Sequence, residues 1–472
     1  MTIFFSLIGL IVSTFFSLPT LYQFQIKEYF LPRILSGIKD NRGFWIPLKM
    51  PARSLRNILI TGFVFLIMVA YFGWTALRFQ EIDLSYTLFW GLGFLASKVV
   101  VFLGVLLTEP LALYKRGRII KRAEQMAKDS DAVVIGVTGS YGKSSMKVIL
   151  HRLLSEKYKV ASTKKNYNSE VGVAMSFLNE IRPDTQYFIS EMAAYTVGTI
   201  TRSANITPPR IGFVTGLGNQ HVDIFGSREA LLKAKSELPS ALPKDGKLYL
   251  NMDCDGYEVM TKAAHCTVIT YSITNPKADA YSQPTGNGSF HFAYKNLNLS
   301  LNTVLPGNHS ILNLTGALAC AIDLGLDEKQ IVEALKHLKP ISQKLSRREL
   351  DNGSILIDDS YNSSVEGFIA ALHYISEFSQ TNRTAITRGL LELGDTLETS
   401  YERIVSVLRE LNIHLITTDP VLHKIAGDEI SELVDEKSVH EKICSGTEKD
   451  VFLLEGRFSP KVMQDLSHHC RK

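Results

Sequence analysis

The stretch TGSYGKSS at residues 138–145 gathers the residue types that hold phosphate: glycines that let a backbone turn tightly, a lysine, and several hydroxyls. It follows the apolar, β-rich run AVVIGV (132–137) and precedes MKVILHRLLSEKY (146–158), whose apolar residues recur at helical spacing. Strand, glycine-rich turn and helix start, in that order, aim backbone N–H groups and the positive end of a helix at phosphate oxygens. Thr138, Gly139, Ser140, Gly142 and Ser145 would form the cradle, Lys143 would add its ammonium, and Ser144 would offer a hydroxyl to Mg²⁺. The spacing is not a strict G-x-x-x-x-G-K-S, because Val137 stands at the first position, between Gly136 and Gly139.

Such a loop needs a sheet behind it. After the loop, β-like runs at 187–194, 210–217 and 246–253 alternate with helical stretches near 170–180 and 228–239. That rhythm predicts a mostly parallel sheet with ligands at the carboxyl ends of its strands. Glu191, His221 and Asp253 fall at or just beyond such ends, which makes them candidate Mg²⁺ and phosphate ligands. From about residue 340 the rhythm repeats in SILIDD (354–359), RTAITRG (383–389), IHLITT (413–418) and VFLLEG (451–456), predicting a second, Rossmann-like domain. The fold class is therefore α/β.

The chain has 472 residues, 45% hydrophobic and 21% charged, which excludes a disordered or low-complexity protein. Its net charge of +4 hides an asymmetry: residues 1–130 hold 15 Lys/Arg against 7 Asp/Glu, and the remainder 36 against 40. The larger part has no basic surplus to neutralise phosphates, so no nucleic-acid partner is expected. Five scattered cysteines form no C-x-x-C pair, and free thiols in a reducing compartment are the expectation. Residues 3–22, 58–77 and about 86–107 are long apolar runs, each long enough to cross ~30 Å of hydrocarbon. Seven basic residues between the first two runs, and YKRGRIIKR (114–122) after the third, predict by the positive-inside bias that both segments are cytoplasmic. The expectation is a multi-pass protein of the cytoplasmic membrane, touching membrane lipids, with its α/β domains in the cytoplasm. Lys98 lies midway along the third run. The organisation predicted is 1–112 membrane anchor, 113–130 basic linker, 131–339 nucleotide-binding domain and 340–472 C-terminal domain.

Residues 131–472 resemble the Mur ligases, ATP-dependent amide ligases of peptidoglycan precursor synthesis. The resemblance is carried by TGSYGKSS, TKKNYNSEVGVAMSFL (163–178), EMAAYTVGTI (191–200), HVDIFGSREALLKAKSEL (221–238), LPGNHSILN (305–313), SRREL (346–350), DDSYNSS (358–364) and LELGD (391–395). The DDSYN and LELG pair favours the branch that joins D-alanyl-D-alanine to UDP-N-acetylmuramoyl-tripeptide. The resemblance implies ATP and two Mg²⁺ ions as cofactors. It implies that Lys143 binds the β/γ-phosphates, that Ser144 and Glu191 hold one Mg²⁺ and His221 the other, and that Lys235 is the lysine such ligases carbamylate. Asn313, after His309, would contact adenine. Arg347, with Arg348 an equal candidate, would reach the phosphates, and of Asp358 and Asp359 one, assigned as Asp359, would bind ribose or phosphate. Tyr361 and Asn362 would line the nucleotide or amine side. Thr163, Asn166 and Asn168 would contact the nucleotide-sugar substrate, whose partner is an amino acid or dipeptide.

This chain departs from the family's pattern at Ala193, Thr199, Gly216, Ser364, Val365 and Arg388, and apolar runs stand where the family has a domain gripping the uridine nucleotide. Three alternatives stay open from the residues: a lipid-linked precursor, a non-murein polymer of pseudomurein or poly-γ-glutamate type, and a membrane P-loop ATPase.

Overall fold

A computed structural model describes residues 1–26, 29, 50–217, 225, 227–286, 288–339, 345–360, 364–390, 393, 396–456, 458, 459, 462, 463 and 466. The chain divides into two compact units, Met1–Ile119 and Ile120–Lys472.

The first unit is built from α1 (Thr2–Ile26), α2 (Leu55–Arg78) and the greater part of α3 (Leu84–Asp129). Ser54 starts α2 by accepting from the Asn57 N–H, and Asp83 accepts from the Tyr86 N–H at 2.7 Å, so both helices begin on an oxygen cap. Ile60, Val64, Met68 and Phe72, spaced one turn apart on α2, are buried with Leu21 and Val101. Polar bridges add to this packing: Ser6 Oγ lies 3.1 Å from Tyr86 Oη, and Trp90 Nε1 donates to the Phe5 carbonyl at 3.0 Å. All three helices are long and apolar enough to cross a membrane by length and composition. The stretch expected as a linker is helical, because α3 runs on unbroken to Asp129 with Pro110 inside it.

The second unit holds two sheets. Its first part runs β1 (Val133–Thr138), α4 (Lys143–Leu154), β2 (Val160–Ser162), α5 (Glu170–Glu180), β3 (Tyr187–Glu191), α6 (Thr199–Ile206), β4 (Pro209–Val214), α7 (Arg228–Ala241), β5 (Lys247–Asn251), α8 (Tyr257–Ala263), β6 (Thr267–Ser272), β7 (Ala280–Gly286), β8 (Ser289–Tyr294), β9 (Leu297–Asn302), α9 (Asn308–Asp323) and α10 (Glu328–Lys336). The nine strands lie in the order β2-β3-β1-β4-β5-β6-β7-β8-β9, parallel through β7 and antiparallel from β7 to β9. The β1–β5 strands are mostly apolar and buried because helices cover the sheet, whereas β8 and β9 alternate buried and exposed positions, as a one-faced antiparallel edge should. The register pairs Val137 with Glu191 and Thr138 with Val214, which brings the ends of β1, β3 and β4 together.

The second part runs β10 (Ser346–Glu349), β11 (Ile355–Asp359), α11 (Val365–Ser376), β12 (Asn382–Thr387), α12 (Leu397–Glu410), β13 (His414–Thr417), α13 (Pro420–Ala426), β14 (Ser431–Leu433), α14 (Ser438–Cys444) and β15 (Asp450–Glu455). Its sheet, ordered β10-β11-β15-β12-β13-β14, is parallel except for β10. The α/β class, the phosphate-loop domain and the Rossmann-like second sheet are as the sequence predicts. The cysteines differ from expectation: Cys254, Cys266 and Cys320 are free, but Cys444 is disulfide-bonded.

One buried carboxylate pins the far side of the first sheet. Asp323, its side chain 1% exposed, accepts from Lys247 Nζ at 2.8 Å, Tyr249 Oη at 2.7 Å and Tyr294 Oη at 3.1 Å, and also pairs with Lys295. Burial pushes its pKa up, but the hydrogen bonds from Lys247, Lys295 and Tyr249 outweigh it and hold the carboxyl at about 2, below its ordinary 3.8. Charged hydrogen bonds of this kind contribute ~2 kcal/mol. Asp323→Asn should therefore lower the urea-unfolding free energy at neutral pH by about that amount. The depressed pKa fixes the sign: the contribution is complete above 3.8 and is lost as pH falls toward 2, so the gap between wild type and variant should narrow over that range. A gap that stays constant with pH would show that the carboxylate's charge is not what stabilises.

Candidate active site

The phosphate loop owes its shape to two glycines. Gly142 caps α4 in the left-handed region at φ 80°, leaving the first N–H groups of the helix without a side-chain cap and open to an anion. Gly139, at φ 152°, has no room for a side chain: a Cβ there would lie 2.2 Å from Thr215 Oγ1 and 3.0 Å from the Gly216 carbonyl. The loop is tied to the end of β4, with Ser140 N–H donating to Gly216 O at 2.6 Å and Thr215 N–H to Thr138 O at 3.0 Å. Lys143 Nζ curls over the loop, donating to the carbonyls of Gly139 at 2.7 Å and Ser140 at 3.0 Å.

Glu191, at the end of β3 and 1% exposed, is the centre of a second cluster. Its Oε1 accepts from Ser144 Oγ and from Asn168 Nδ2, each at 3.0 Å. Its N–H donates to Thr163 Oγ1 at 3.1 Å, and Tyr195 Oη donates to Asn168 Oδ1 at 2.8 Å. Lys147 Nζ lies 2.9 Å from Oε2. Burial pushes the Glu191 carboxyl up, but the charges of Lys147 and Lys143 and the bond from Asn168 bring it below its ordinary value, so it is ionised. A hydroxyl and a carboxylate oxygen meeting at the foot of a phosphate loop are hard oxygen donors suited to Mg²⁺. The buried Thr138 Oγ1 beside them has no hydrogen-bond partner.

Lys235, on α7, enters the loop from the other side. It is 2% exposed and donates to Gly139 O at 2.8 Å. Burial, reinforced by repulsion from Lys143 and opposed only by Glu237, pushes its pKa well below that of an ordinary lysine. Asn313, buried near the start of α9, faces the loop: its Oδ1 would be 3.2 Å from a Cβ at Gly142.

Of the predicted residues, Lys143, Ser144, Glu191, Lys235, Asn168, Thr163 and Asn313 gather around one loop. His221, Tyr361 and Asn362 lie outside the described residues. Asn166 is exposed in the same segment as Thr163 and Asn168. The C-terminal pairs separate. Asp358 is fully buried, accepting from Arg348 Nη2 at 2.6 Å and from the Ser360 N–H, so both it and Arg348 are engaged within their own sheet. Arg347 points the other way, 5.7 Å from the Phe378 ring centre, and Asp359 is partly exposed at the strand end. Asp253 is not a ligand candidate, because its carboxylate accepts from Ile273 N–H at 2.9 Å, Thr274 Oγ1 at 2.7 Å and Ser272 Oγ. Lys147 escaped the sequence reading, although its place one turn beyond Lys143 on the same helix face was a signal.

A phosphate loop at the end of β1, an acidic residue closing β3 and a Rossmann-like second sheet are the features on which the chain can be compared with known proteins. Residues 137–321 match the Mur ligase middle domain. It is 31% identical over 303 residues to the UDP-N-acetylmuramoyl-tripeptide–D-alanyl-D-alanine ligase of Synechocystis sp., covering 62% of this chain and 64% of that one. The chain thus spans a little under two thirds of that relative's length. The crystal structure of MurF from Acinetobacter baumannii shares its fold with a TM-score of 0.69 at 21% identity, over 76% of this chain and 81% of that one. MurF ligase from Thermotoga maritima, in complex with ADP, does so at 0.66 and 22%, over 75% and 83%.

These relatives correct the expected location. They are soluble cytoplasmic enzymes, and the three apolar helices do not establish a protein of the cytoplasmic membrane. Length and hydropathy measure the gain on leaving water, and a packed helical unit can supply part of that shelter itself, as the Ile60, Val64, Met68 and Phe72 seam does.

One departure from the family's pattern beside the loop, Gly216, has a steric cause. A Cβ at Gly216 would lie 2.2 Å from Tyr141 Cε2, so the tyrosine ring occupies the place of any side chain at 216. Gly216→Ala should cost ~1–3 kcal/mol in a denaturation experiment, the usual range for overpacking. Most of that loss should vanish in a Tyr141→Ala background. Equal losses in both backgrounds would refute the steric link.

Proposed function

We propose that this chain is an ATP-dependent ligase that joins D-alanyl-D-alanine to UDP-N-acetylmuramoyl-tripeptide. The observation that carries the reading is the convergence of Lys143, Ser144, Glu191 and the buried Lys235 on one phosphate loop. A sheet that bound nucleotide only as a structural group would have no need of a desolvated lysine there. The named activity of the relatives supports the choice of substrates.

In this reading a carboxylate oxygen of the peptide attacks the γ-phosphorus of ATP, ADP leaves, and an acyl phosphate forms. The amine nitrogen of the dipeptide then attacks the acyl carbon; phosphate departs, the nitrogen loses its proton and an amide remains. Little covalent work falls to the protein, so positioning and charge stabilisation carry the rate. Lys143 would neutralise the β/γ-phosphates, for which its ammonium must swing from the Gly139 and Ser140 carbonyls. Thr138, Gly139, Ser140, Gly142 and Ser145 would cradle the phosphates, Asn313 would meet the adenine, and Arg347 and Asp359 would close on the nucleotide from the second sheet. Mg²⁺, held by Ser144 and Glu191 and a second ion by His221, would supply charge neutralisation on the phosphates. Thr163, Asn166 and Asn168 would face the nucleotide-sugar, and Tyr361 and Asn362 the nucleotide or amine side.

Lys235 suits carbamylation. Burial favours the neutral amine, and in that form the nitrogen lone pair can add to the carbon of CO₂; loss of the N–H proton yields a carbamate anion, and that anion can balance the neighbouring Lys143. ¹³C-bicarbonate should give a carbamate NMR signal that Lys235→Ala removes.

The decisive experiment supplies the purified full chain with Mg-ATP and each substrate singly and together, following phosphate release and product mass. Release that needs both substrates, with the pentapeptide mass appearing, is the expected result. Lys143→Ala should reduce it by at least ~10²-fold, as loss of a charge-stabilising group does. Phosphate release that needs neither substrate would replace the ligase with an ATPase. Silence with both would point to a different precursor, lipid-linked or non-murein.

A further inference from the structure

We infer that Lys147 sets the metal selectivity of the site, by occupying one oxygen of Glu191 so that the carboxylate offers a divalent cation a single oxygen. The inference rests on the ligase reading, in which Ser144 and Glu191 are metal ligands.

Lys147 stands on α4 one turn beyond Lys143 and is 5% exposed. Its ammonium is fixed at two points on different segments: 2.9 Å from Glu191 Oε2, and donating to the Lys165 carbonyl. Lys165 itself has left-handed backbone, at φ 48°, in the segment between Thr163 and Asn168. A buried ammonium with two such anchors does not drift from its carboxylate, because leaving would strand both charges away from water. Oε1 meanwhile accepts from Asn168 and Ser144. With Asn168 retained and Ser144 turned toward a metal, one lone pair of Oε1 remains for a cation. The second oxygen, Oε2, has no hydrogen-bond partner but faces the Lys147 ammonium at 2.9 Å, whose charge stands where a cation would have to approach.

That geometry discriminates between ions of equal charge. Mg²⁺ demands a compact octahedron and takes carboxylates through one oxygen, whereas Ca²⁺ is larger and gains from carboxylates that bind through two. Removing the Lys147 charge strengthens binding of any divalent cation by relieving repulsion, and does so alike for both ions. Freeing Oε2 favours only the ion able to use it. The ratio of the two affinities therefore isolates the effect of denticity from that of charge, and a residue that merely filled space would change both affinities together.

The test is calorimetric binding of ADP to the full chain with Mg²⁺ alone or Ca²⁺ alone, which needs no turnover. Wild type should bind ADP more tightly with Mg²⁺. In Lys147→Met the ratio should move toward Ca²⁺ by about tenfold, the scale on which groups orienting a metal ligand act. Lys147→Gln, polar and close in length, should shift it the same way by less, and serves where Lys147→Met does not fold. In a Glu191→Gln background, Lys147→Met should leave the ratio unmoved. An unchanged ratio in the single variants, or a parallel fall with both ions, overturns the role of Lys147 while the ligase reading stands. A wild type that binds ADP with neither ion removes the ligase reading and this inference with it.

Discussion

A carboxylate carried out of water at the end of a parallel sheet needs cations and donors around it, and Glu191 imposes that requirement on everything near the phosphate loop. Its burial alone would favour the protonated acid. Lys147 and Lys143 on one helix, together with Asn168 from the following segment, reverse that preference. Because β1 and β3 are paired in register at Val137 and Glu191, the helix that follows the loop must bring its first two turns past the carboxylate. The loop, the strand end and the 163–168 segment are thereby held as one body rather than as three adjacent pieces.

The same loop draws two lysine side chains to one carbonyl. Lys143 and Lys235 both donate to Gly139 O, and their mutual repulsion adds to the desolvation of the deeper one. The Lys143 ammonium and the open helix N–H groups are poised for an anion, and the phosphates of a nucleotide would meet both. The unpartnered Thr138 hydroxyl belongs to the same picture: polar groups left unmet at a site are met when its ligand arrives.

Much of the fold was legible in advance because burial on both faces makes parallel strands continuous apolar runs, separated here by helical stretches. The strands around 133–138, 187–191, 209–214 and 247–251 stand out for that reason. The β7–β9 extension did not, since a one-faced edge such as SFHFAY alternates weakly and its turns carry no unusual composition. Within the site, Lys143 and Ser144 were evident from the loop and Lys235 from its motif. Choosing between Arg347 and Arg348, or between Asp358 and Asp359, was out of reach. Neighbouring residues on a strand face opposite ways, and only the completed sheet shows which way is inward. The apolar front illustrates the opposite error: hydropathy reports a preference for leaving water and says nothing of where the chain resides.

The sequence by itself determined the order of elements, the phosphate loop and the resemblance to Mur ligases over the middle of the chain, because these depend on local spacing and residue type. Tertiary structure alone decided that Lys147 would meet Glu191, that Tyr141 would claim the space beside Gly216, and that Asp358 would turn inward. Each of those outcomes depends on side chains from segments far apart in the chain competing for one dry volume. Such competition is resolved by packing and desolvation, which no local pattern encodes.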